Sequence, residues 1–190
     1  MPSWLIDVQD GEARTRAIDW LVLDVDGVLT DGILYTGANG VEWQAFHVHD
    51  GHGIRMWQQA GKNTAVISGR MSKATTARCA DLGIVHVYQG VHDKVAALRT
   101  LLDRTGATAS RICYCGDEVL DIGLFRAVGL AVAVADAVPD AVAAAHMVTM
   151  RPGGRGAVRE IIDYLLKMQG CKDQASQRLF DNGNVTGSIQ

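Results

Sequence analysis

The chain has 190 residues, of which 48% are hydrophobic and 21% are charged, a balance typical of one globular domain with a full core. The formal net charge of −3 argues against a nucleic-acid-binding protein, and no apolar run reaches the ~20 residues of a membrane span. Because the N-terminus carries early acids and no apolar run of signal-peptide length, we expect a cytoplasmic protein. The cysteines match no zinc pattern, and we expect Cys113 and Cys115 to be reduced core thiols.

The first strong element in the chain is an apolar run that ends in two carboxylates. Residues 1–18 are mixed and polar, and we expect a loop or a short helix there. The run Trp20 to Leu23 is short and flanked by turn residues, which predicts a buried strand. Asp24 and Asp26 follow it, and their side chains share one face if the strand continues. Two carboxylates at a strand end suggest a pocket, although two solvated turn residues explain the pair alone equally well.

A hairpin is predicted next, over about residues 32–48. Two extended runs, 33–35 and 41–48, flank a Gly-Ala-Asn-Gly segment, and Asn-Gly between such runs favours a tight turn. The hairpin carries three aromatic side chains, Tyr35, Trp43 and Phe46. Because an isolated two-stranded hairpin is only marginally stable, we expect this one to pack against copies of itself in an oligomer.

Helices and strands alternate through the rest of the chain. Helices are predicted at about 50–60, 72–82, 93–105, 119–128, 139–145 and 157–168, and strands at 64–67, 85–88, 112–115, 130–134 and 147–149. This alternation predicts an α/β fold, in which a mostly parallel sheet has helices on both faces. Because the last stretch is polar and non-periodic, we expect one domain over residues 1–170 and a mobile tail over 171–190.

Further polar residues stand at the predicted strand ends. The second apolar strand leads to Ser68, Lys94 opens a helix, and a later strand leads to Asp117, with Asp121 one helical turn on. Each has an ordinary alternative, since Ser68 could cap a helix, Lys94 could lie on the surface, and the acids could favour a helix N-terminus. None of these alternatives predicts the joint order of a carboxylate pair, a hydroxyl, an ammonium and an acidic site.

That order resembles the four motifs of the haloacid dehalogenase (HAD) superfamily, over about residues 18–170. DVDGV, starting at Asp24, matches the first motif, and ISG, ending at Gly69, matches the second. Lys94 matches the third, and GDEVLD, ending at Asp121, matches the fourth. The resemblance implies a Rossmann-like HAD fold with a protruding hairpin, and the segments between the motifs leave no room for a cap domain.

The resemblance implies a phosphatase that works through an aspartyl-phosphate. Asp24 would attack phosphorus, and Asp26 would give a proton to the leaving oxygen and then take one from water. Ser68 and Lys94 would hold the phosphoryl oxygens. The implied cofactor is Mg²⁺, which prefers oxygen ligands. Its implied ligands are the Asp24 carboxylate, the Asp26 backbone carbonyl and the Asp117 carboxylate, with Asp121 supporting them or reaching the ion through water.

Three further segments narrow the resemblance to the capless branch of 3-deoxy-D-manno-octulosonate (KDO) 8-phosphate phosphatases. They read HVHDGHGIRMW at residues 47–57, YQG at residues 88–90 and GGRGAVREI at residues 153–161. Members of that branch are tetramers that hydrolyse a phosphorylated eight-carbon keto sugar acid. The implied substrate-binding residues are Asp26, His47, Val48, His49, Asp50, Gly51, Arg55, Arg70, Arg78 and Lys94. Arginine suits such an anion, although for Arg55 and Arg78 an ordinary exposed helix residue is the simpler interpretation.

Two positions depart from the family pattern and leave the substrate open. His49 stands where the family has arginine, and Glu118 gives GDE in place of the more usual GDD. We predict a cytoplasmic homotetramer that hydrolyses KDO 8-phosphate with Mg²⁺, in lipopolysaccharide biosynthesis, without nucleic-acid or membrane partners. The alternatives are a phosphatase for a nine-carbon keto acid phosphate, one for an aromatic phosphate within a carboxylase assembly, and a non-catalytic HAD-like subunit.

Overall fold

A seven-stranded sheet organises the chain, which the computed structural model describes over residues 2–185. The strands are, in chain order, β1 (Ser3–Trp4), β2 (Trp20–Leu23), β3 (Tyr35–Thr36), β4 (Glu42–Trp43), β5 (Asn63–Ile67), β6 (His86–Tyr88), β7 (Ile112–Gly116), β8 (Leu130–Ala133) and β9 (Met147–Val148). The helices are α1 (Val8–Ala17), α2 (Val48–Gln59), α3 (Lys73–Asp81), α4 (Lys94–Thr105), α5 (Ile122–Phe125), α6 (Pro139–Ala144), α7 (Ala157–Met168) and α8 (Lys172–Val185). Short 3-10 helices lie at Ala109–Arg111 and Val119–Asp121.

The strand order places β2 in the middle of the sheet. The order is β1-β9-β8-β7-β2-β5-β6, and every pair in it is parallel except β1 with β9. Leu23, the last residue of β2, lies opposite Val66 of β5 and Cys115 of β7. The chain runs from β2 outward through β5 and β6, and then returns to the other side of β2 with β7. This reversal is a topological switch point, where the carboxyl ends of parallel strands leave a crevice for ligands.

Alternating side chains of β2 enter two separate cores. Leu21 and Leu23 pack with residues of α2, α3 and α7 on one face of the sheet. Trp20 and Val22 pack on the other face with residues of α4, α5 and α6. This is the two-residue period of a strand covered on both sides, which is why β2 reads as a continuous apolar run. The predicted α/β fold, with a mostly parallel sheet between helices, is confirmed.

The predicted hairpin is present, but its strands are shorter than expected. Tyr35 pairs with Trp43 across β3 and β4, and Gly40 takes the left-handed conformation (φ +69°) that the turn requires. The second extended run does not continue to residue 48, because α2 begins there with His47 as its N-cap. The exposed apolar side chains of the hairpin region are Ile33, Leu34, Tyr35, Val41 and Trp43.

The two ends of the described chain add a strand and a helix that the sequence did not predict, whereas the short helix considered for residues 1–18 is present as α1. At the N-terminal end, β1 adds an antiparallel edge strand beside β9, and Asp7 caps α1 through the backbone N–H groups of residues 9 and 10. At the other end, we expected a mobile tail over 171–190, and residues 172–185 of it are helical. These residues form α8, which buries Ala175 in the core beside α2 and α7 and donates a hydrogen bond from Arg178 to the Gln59 carbonyl. Residues 186–190 lie outside the described part.

No helix within residues 2–185 combines the length and the apolar content needed to cross a bilayer.

Candidate active site

Two carboxylates lie side by side where β2 and β7 end. Asp24 follows β2 directly, and its backbone N–H donates to the Cys115 carbonyl at 3.0 Å, which extends the pairing of the two strands by one residue. Asp117 follows β7 in the same way. The Asp24 side chain is buried, and its Oδ1 accepts the Val25 N–H at 2.7 Å. The parallel register of β2 and β7 therefore brings together two motifs that are far apart in the chain.

Lys94 supplies the positive charge of this cluster. It is the first residue of α4, after the N-cap Asp93, and it is buried. Its Nζ lies 2.7 Å from Asp24 Oδ2 and 2.6 Å from Asp121 Oδ1. Burial alone would lower the pKa of Lys94, but the two carboxylates outweigh it and the pKa is raised. Lys94 therefore stays an ammonium at neutral pH.

Asp121 holds the loop after β7 in place. Its Oδ2 accepts the backbone N–H groups of Asp117 at 2.9 Å and Glu118 at 3.1 Å. Its Oδ1 accepts the Tyr114 hydroxyl at 2.6 Å as well as the Lys94 ammonium. A side chain at Gly116 would collide with this carboxylate. Both oxygens of Asp121 are thus engaged, and the residue fixes the backbone that presents Asp117.

Asp117 has the features of a cation ligand. Its Oδ1 is buried and has no hydrogen-bond partner within the described residues. Ligand atoms of Asp24, Asp117 and Asp121 all lie within 4.8 Å of one another. Burial, with the nearby Asp24 and Asp121 charges, raises the pKa of Asp117 to about 7. Burial also raises the pKa of Asp24 to about 6, although Lys94 acts in the opposite direction. Carboxylates that resist ionisation are neutralised either by a proton or by a nearby cation, and a divalent cation bound here would supply that charge at neutral pH.

Glycine keeps the space beside Asp117 open. Gly27 has φ +84°, and a Cβ atom built there would collide with the Asp117 carboxylate. Two features therefore require glycine at this position of the DVDG motif: its backbone conformation and the close approach of Asp117 from the fourth motif.

Asp26 points to a different set of partners. Its Oδ1 accepts Gln44 Nε2 at 3.0 Å, and its Oδ2 lies 3.7 Å from Arg70 Nε. Arg70 in turn pairs with Glu42 of the hairpin, Nη2 to Oε2, at 2.7 Å. The contributions of Gln44 and Glu42 were missed by the sequence analysis, because the hairpin carries no catalytic motif and the contact depends on how the hairpin folds back.

Ser68 lies at the carboxyl end of β5 and is buried. Its hydroxyl accepts the Arg70 N–H and donates to the Arg70 carbonyl, each at 3.2 Å. It therefore shapes the turn that directs Arg70 toward Asp26, and its placement at the end of β5 is the one that the motif predicts.

Three of the remaining predicted substrate-binding residues contact other parts of the fold and not the carboxylate cluster. Asp50 is buried, and its two oxygens accept the backbone N–H groups of Gly156 at 3.1 Å and Arg159 at 2.7 Å, so that it caps α7. Arg55 and Arg78 both bind Asp81, Arg55 through the carbonyl at 2.9 Å and Arg78 through the carboxylate at 2.7 Å. Their role in substrate binding stays a prediction.

The other residues of the same segment lie around the start of α2. The His47 side chain accepts the His49 N–H at 3.2 Å, while Val48 and His49 are exposed. Gly51 leaves room for the Arg78 guanidinium, which a side chain would block. His49 also lines an open groove of about 840 Å³, separate from the carboxylate cluster, whose other lining residues include Arg151, Arg159, Tyr164 and Lys167.

Comparison with known proteins places this arrangement in a family. The haloacid dehalogenase-like hydrolase family model matches residues 67–162. The 3-deoxy-D-manno-octulosonate 8-phosphate phosphatase of Escherichia coli K12 is 47% identical over 163 residues, which are 86% of this chain and 87% of that protein. The structure of the Yersinia pestis phosphatase of the same name matches with a TM-score of 0.85 at 40% identity, and covers 91% of this chain and 96% of that one.

A further structure was solved in complex with ligands. The 3-deoxy-D-manno-octulosonate 8-phosphate phosphatase from Moraxella catarrhalis, in complex with magnesium, phosphate and KDO, has a TM-score of 0.87 at 33% identity. The match covers 90% of this chain and 98% of that one. Sequence and structure thus agree over most of both chains, and the chain belongs to the haloacid dehalogenase-like hydrolases, in the branch of the 3-deoxy-D-manno-octulosonate 8-phosphate phosphatases.

Proposed function

We propose that this protein is a Mg²⁺-dependent phosphatase that hydrolyses KDO 8-phosphate to KDO and inorganic phosphate. The observation that carries the proposal is the buried Asp24 carboxylate at the end of β2, held 2.7 Å from the Lys94 ammonium. It lies beside Asp117, whose buried Oδ1 has no hydrogen-bond partner within residues 2–185. The similarity to phosphatases that bear this substrate in their names supports the choice of sugar acid.

The residues divide the chemistry into two displacements at phosphorus. A carboxylate oxygen of Asp24 attacks phosphorus, and the bond from phosphorus to the sugar oxygen breaks as the aspartyl-phosphate forms. Asp26 donates a proton to the departing sugar oxygen. It then takes a proton from a water molecule, whose oxygen attacks phosphorus and releases Asp24 with inorganic phosphate. The net reaction consumes one water and regenerates both carboxyl groups.

Fixed positive charge is what the site contributes to the phosphoryl group. Lys94 is pre-oriented by Asp24 and Asp121, so its ammonium needs little rearrangement to hold a phosphoryl oxygen. Ser68, at the neighbouring strand end, would donate its hydroxyl to another phosphoryl oxygen in exchange for its present bond to the Arg70 carbonyl. This division fits phosphoryl transfer, which depends on positioning and charge neutralisation more than on covalent chemistry by the protein.

The donor set fits Mg²⁺. The Asp24 and Asp117 carboxylates offer oxygen atoms, which a hard cation prefers, and the buried Asp117 Oδ1 lacks another partner among the described residues. The Asp26 backbone carbonyl is the further oxygen ligand that the resemblance implies. When bound, the ion would neutralise the negative charge of the phosphoryl group and of the two carboxylates. Asp121, with both oxygens engaged, would orient the Asp117 loop.

The active unit that we infer is a homotetramer. The hairpin exposes a set of apolar side chains that one chain leaves uncovered, and 69% of Trp43 is accessible to solvent. Val48 and His49 are also exposed at the start of α2. A neighbouring subunit that packs on the hairpin would cover these surfaces and exclude water from an active site that has no cap domain.

A substrate panel with Mg²⁺ tests the proposal. We expect the highest kcat/KM for KDO 8-phosphate, compared with a nine-carbon keto acid phosphate and an aromatic phosphate. Asp24→Asn should release no phosphate and trap no radiolabelled phosphoenzyme. Asp103→Asn, which makes the same exchange at an exposed position of α4, serves as the control. A preference for another ester would replace the substrate, and no turnover of any ester would favour a non-catalytic subunit.

A further inference from the structure

Gln44 connects Asp26 to the start of α3. It lies between β4 and α2, where its Nε2 donates to Asp26 Oδ1 at 3.0 Å. Its Oε1 accepts the hydroxyl groups of Ser72 at 2.8 Å and Thr75 at 2.7 Å. Thr75 is buried and the other three side chains are partly buried, so water competes poorly for these bonds. The resemblance to known motifs assigns no role to Gln44.

The hydroxyl groups fix the direction of the Gln44 amide. Ser72 caps α3, and its Oγ already accepts the backbone N–H groups of Ala74 at 3.2 Å and Thr75 at 3.4 Å. Its single hydrogen is therefore left to donate to Gln44 Oε1. Because Oε1 is committed to α3, the NH₂ group must point to Asp26. The opposite amide orientation would place two acceptor oxygens, Gln44 Oε1 and Asp26 Oδ1, against each other.

Only one oxygen of Asp26 is held in this way. The second, Oδ2, lies 3.7 Å from Arg70 Nε, which is longer than a hydrogen bond. Oδ2 is therefore the oxygen that is available for proton transfer. A general acid or base must come within hydrogen-bond reach of the proton that it moves, so the rotamer of Asp26 decides whether it can act.

We propose that Gln44 is a positioning residue for Asp26, which holds Oδ1 so that Oδ2 meets the leaving oxygen and then the water. This inference rests on the proposed acid–base role of Asp26. The Ser72 and Thr75 hydroxyl groups are part of the device, since they anchor the Gln44 amide on a helix that packs in the core.

The test compares two esters that differ in their need for a general acid. The leaving group of an alkyl phosphate such as KDO 8-phosphate is a strongly basic alkoxide, which needs a proton as it departs. The leaving group of p-nitrophenyl phosphate is p-nitrophenolate, which departs without one. Gln44→Leu keeps the size of the side chain and removes its hydrogen bonds. We expect it to lower kcat/KM for the alkyl ester by roughly 10–100-fold and for p-nitrophenyl phosphate by less than about 3-fold.

Thr75 provides a second variant that leaves Gln44 in place. Thr75→Val removes one anchor of the amide and should lower the alkyl-to-aryl ratio of kcat/KM in the same direction, by less than Gln44→Leu does. Thr75→Ser keeps the hydroxyl and should restore the ratio. Gln9→Leu makes the same exchange at an exposed position of α1 and should leave both esters unaffected.

The outcomes separate the positioning role from the proposed function. Equal losses on both esters would mean that Gln44 is structural, and an unchanged ratio in Gln44→Leu and Thr75→Val would overturn the positioning role alone. Wild-type protein that hydrolyses neither ester would overturn the proposed function, and the positioning role with it. If Gln44→Leu fails to fold, Thr75→Val against Thr75→Ser still decides the question.

Discussion

Lys94 Nζ lies 2.7 Å from Asp24 Oδ2, although 70 positions separate the two residues in the chain. Both side chains are less than a tenth exposed, at 7% and 9%. A buried ion pair contributes little net stability when intact, but removal of one partner leaves an unpaired buried charge. The same ammonium that would hold a phosphoryl oxygen therefore also neutralises Asp24 and Asp121, so activity and stability are coupled at this residue.

Lys94→Met should show both effects. Methionine keeps most of the length of the side chain and loses the charge, so phosphate release should fall by at least about 10²-fold. The free energy of unfolding in urea, without Mg²⁺ at pH 8, should fall by roughly 3–5 kcal/mol, because two carboxylates lose their buried partner. Lys73→Met, at an exposed position of α3, is the control. Wild-type stability of Lys94→Met at pH 8 would show that the carboxylates do not need this ammonium.

The raised pKa values make the stabilisation by Mg²⁺ depend on pH. Folding raises the pKa of Asp24 from 3.8 to about 6 and of Asp117 from 3.8 to about 7. Their contribution to stability is therefore fully present below about pH 4, and it is lost as the pH rises through 6 to 7. Mg²⁺ binds the ionised carboxylates, so protons compete with it at the acid end of this window.

We therefore expect Mg²⁺ to raise Tm more at pH 8 than at pH 5.5. Asp117→Asn should remove most of this difference, because an amide neither ionises nor binds the cation well. Differential scanning fluorimetry with EDTA or with saturating Mg²⁺ at several pH values measures it. An increase in Tm that is the same at every pH would contradict the assignment of these carboxylates as ligands.

The placement of three candidate catalytic residues could be predicted from the sequence, because each of them is tied to a strand end or a helix start. Asp24 follows β2, Asp117 follows β7, and Lys94 is the first residue of α4. The parallel sheet brings these three points together. Gln44 could not be predicted, because its contacts with Asp26 and α3 depend on the path of the chain between β4 and α2.

The sequence analysis missed β1 and α8 for a different reason. The sequence of α8 shows no clear apolar period, since the buried contact of this helix is the small residue Ala175, supported by Leu179. The two-residue strand β1 is too short to leave a pattern of its own, and it forms because β9 offers a free edge. In both cases tertiary packing, and not local propensity, decides the structure.

Substitution of Asp50 tests whether this predicted substrate-binding residue stabilises the fold instead of contacting the substrate. Its carboxylate caps α7 through Gly156 and Arg159, so Asp50→Ala leaves two backbone donors without a partner. We expect a loss of about 1–2 kcal/mol in the free energy of unfolding, the usual cost of a lost N-cap. Asp50→Asn retains one acceptor oxygen and should recover part of the loss. A higher KM for the sugar acid in Asp50→Asn, measured at a temperature at which the variant is fully folded, would indicate that Asp50 also contacts the substrate.

The hairpin exposes large aromatic side chains that the rest of the described chain does not cover. Trp43 is 69% exposed and Tyr35, opposite it across the strand pair, is 42% exposed. Burial of a large aromatic side chain removes about 150–250 Å² of surface from water, so a second surface that covers these residues would stabilise the hairpin. Because Glu42 and Gln44 of the same segment contact Arg70 and Asp26, assembly through the hairpin would also steady the active site.

Trp43→Glu should therefore break the assembly and impair the sugar substrate selectively. A carboxylate in an apolar interface is costly to desolvate, so sedimentation should show a shift from tetramer to smaller species. KM for KDO 8-phosphate should rise by about 10-fold or more, a loss of roughly 1.4 kcal/mol in binding, while kcat/KM for p-nitrophenyl phosphate, which needs no cover, should change less. Val85→Glu places the same charge on an exposed apolar residue outside the hairpin and should leave the assembly intact. A wild-type protein that is monomeric and fully active at assay concentration would rule out the tetramer, and the hairpin would then require another explanation for its exposed aromatic residues.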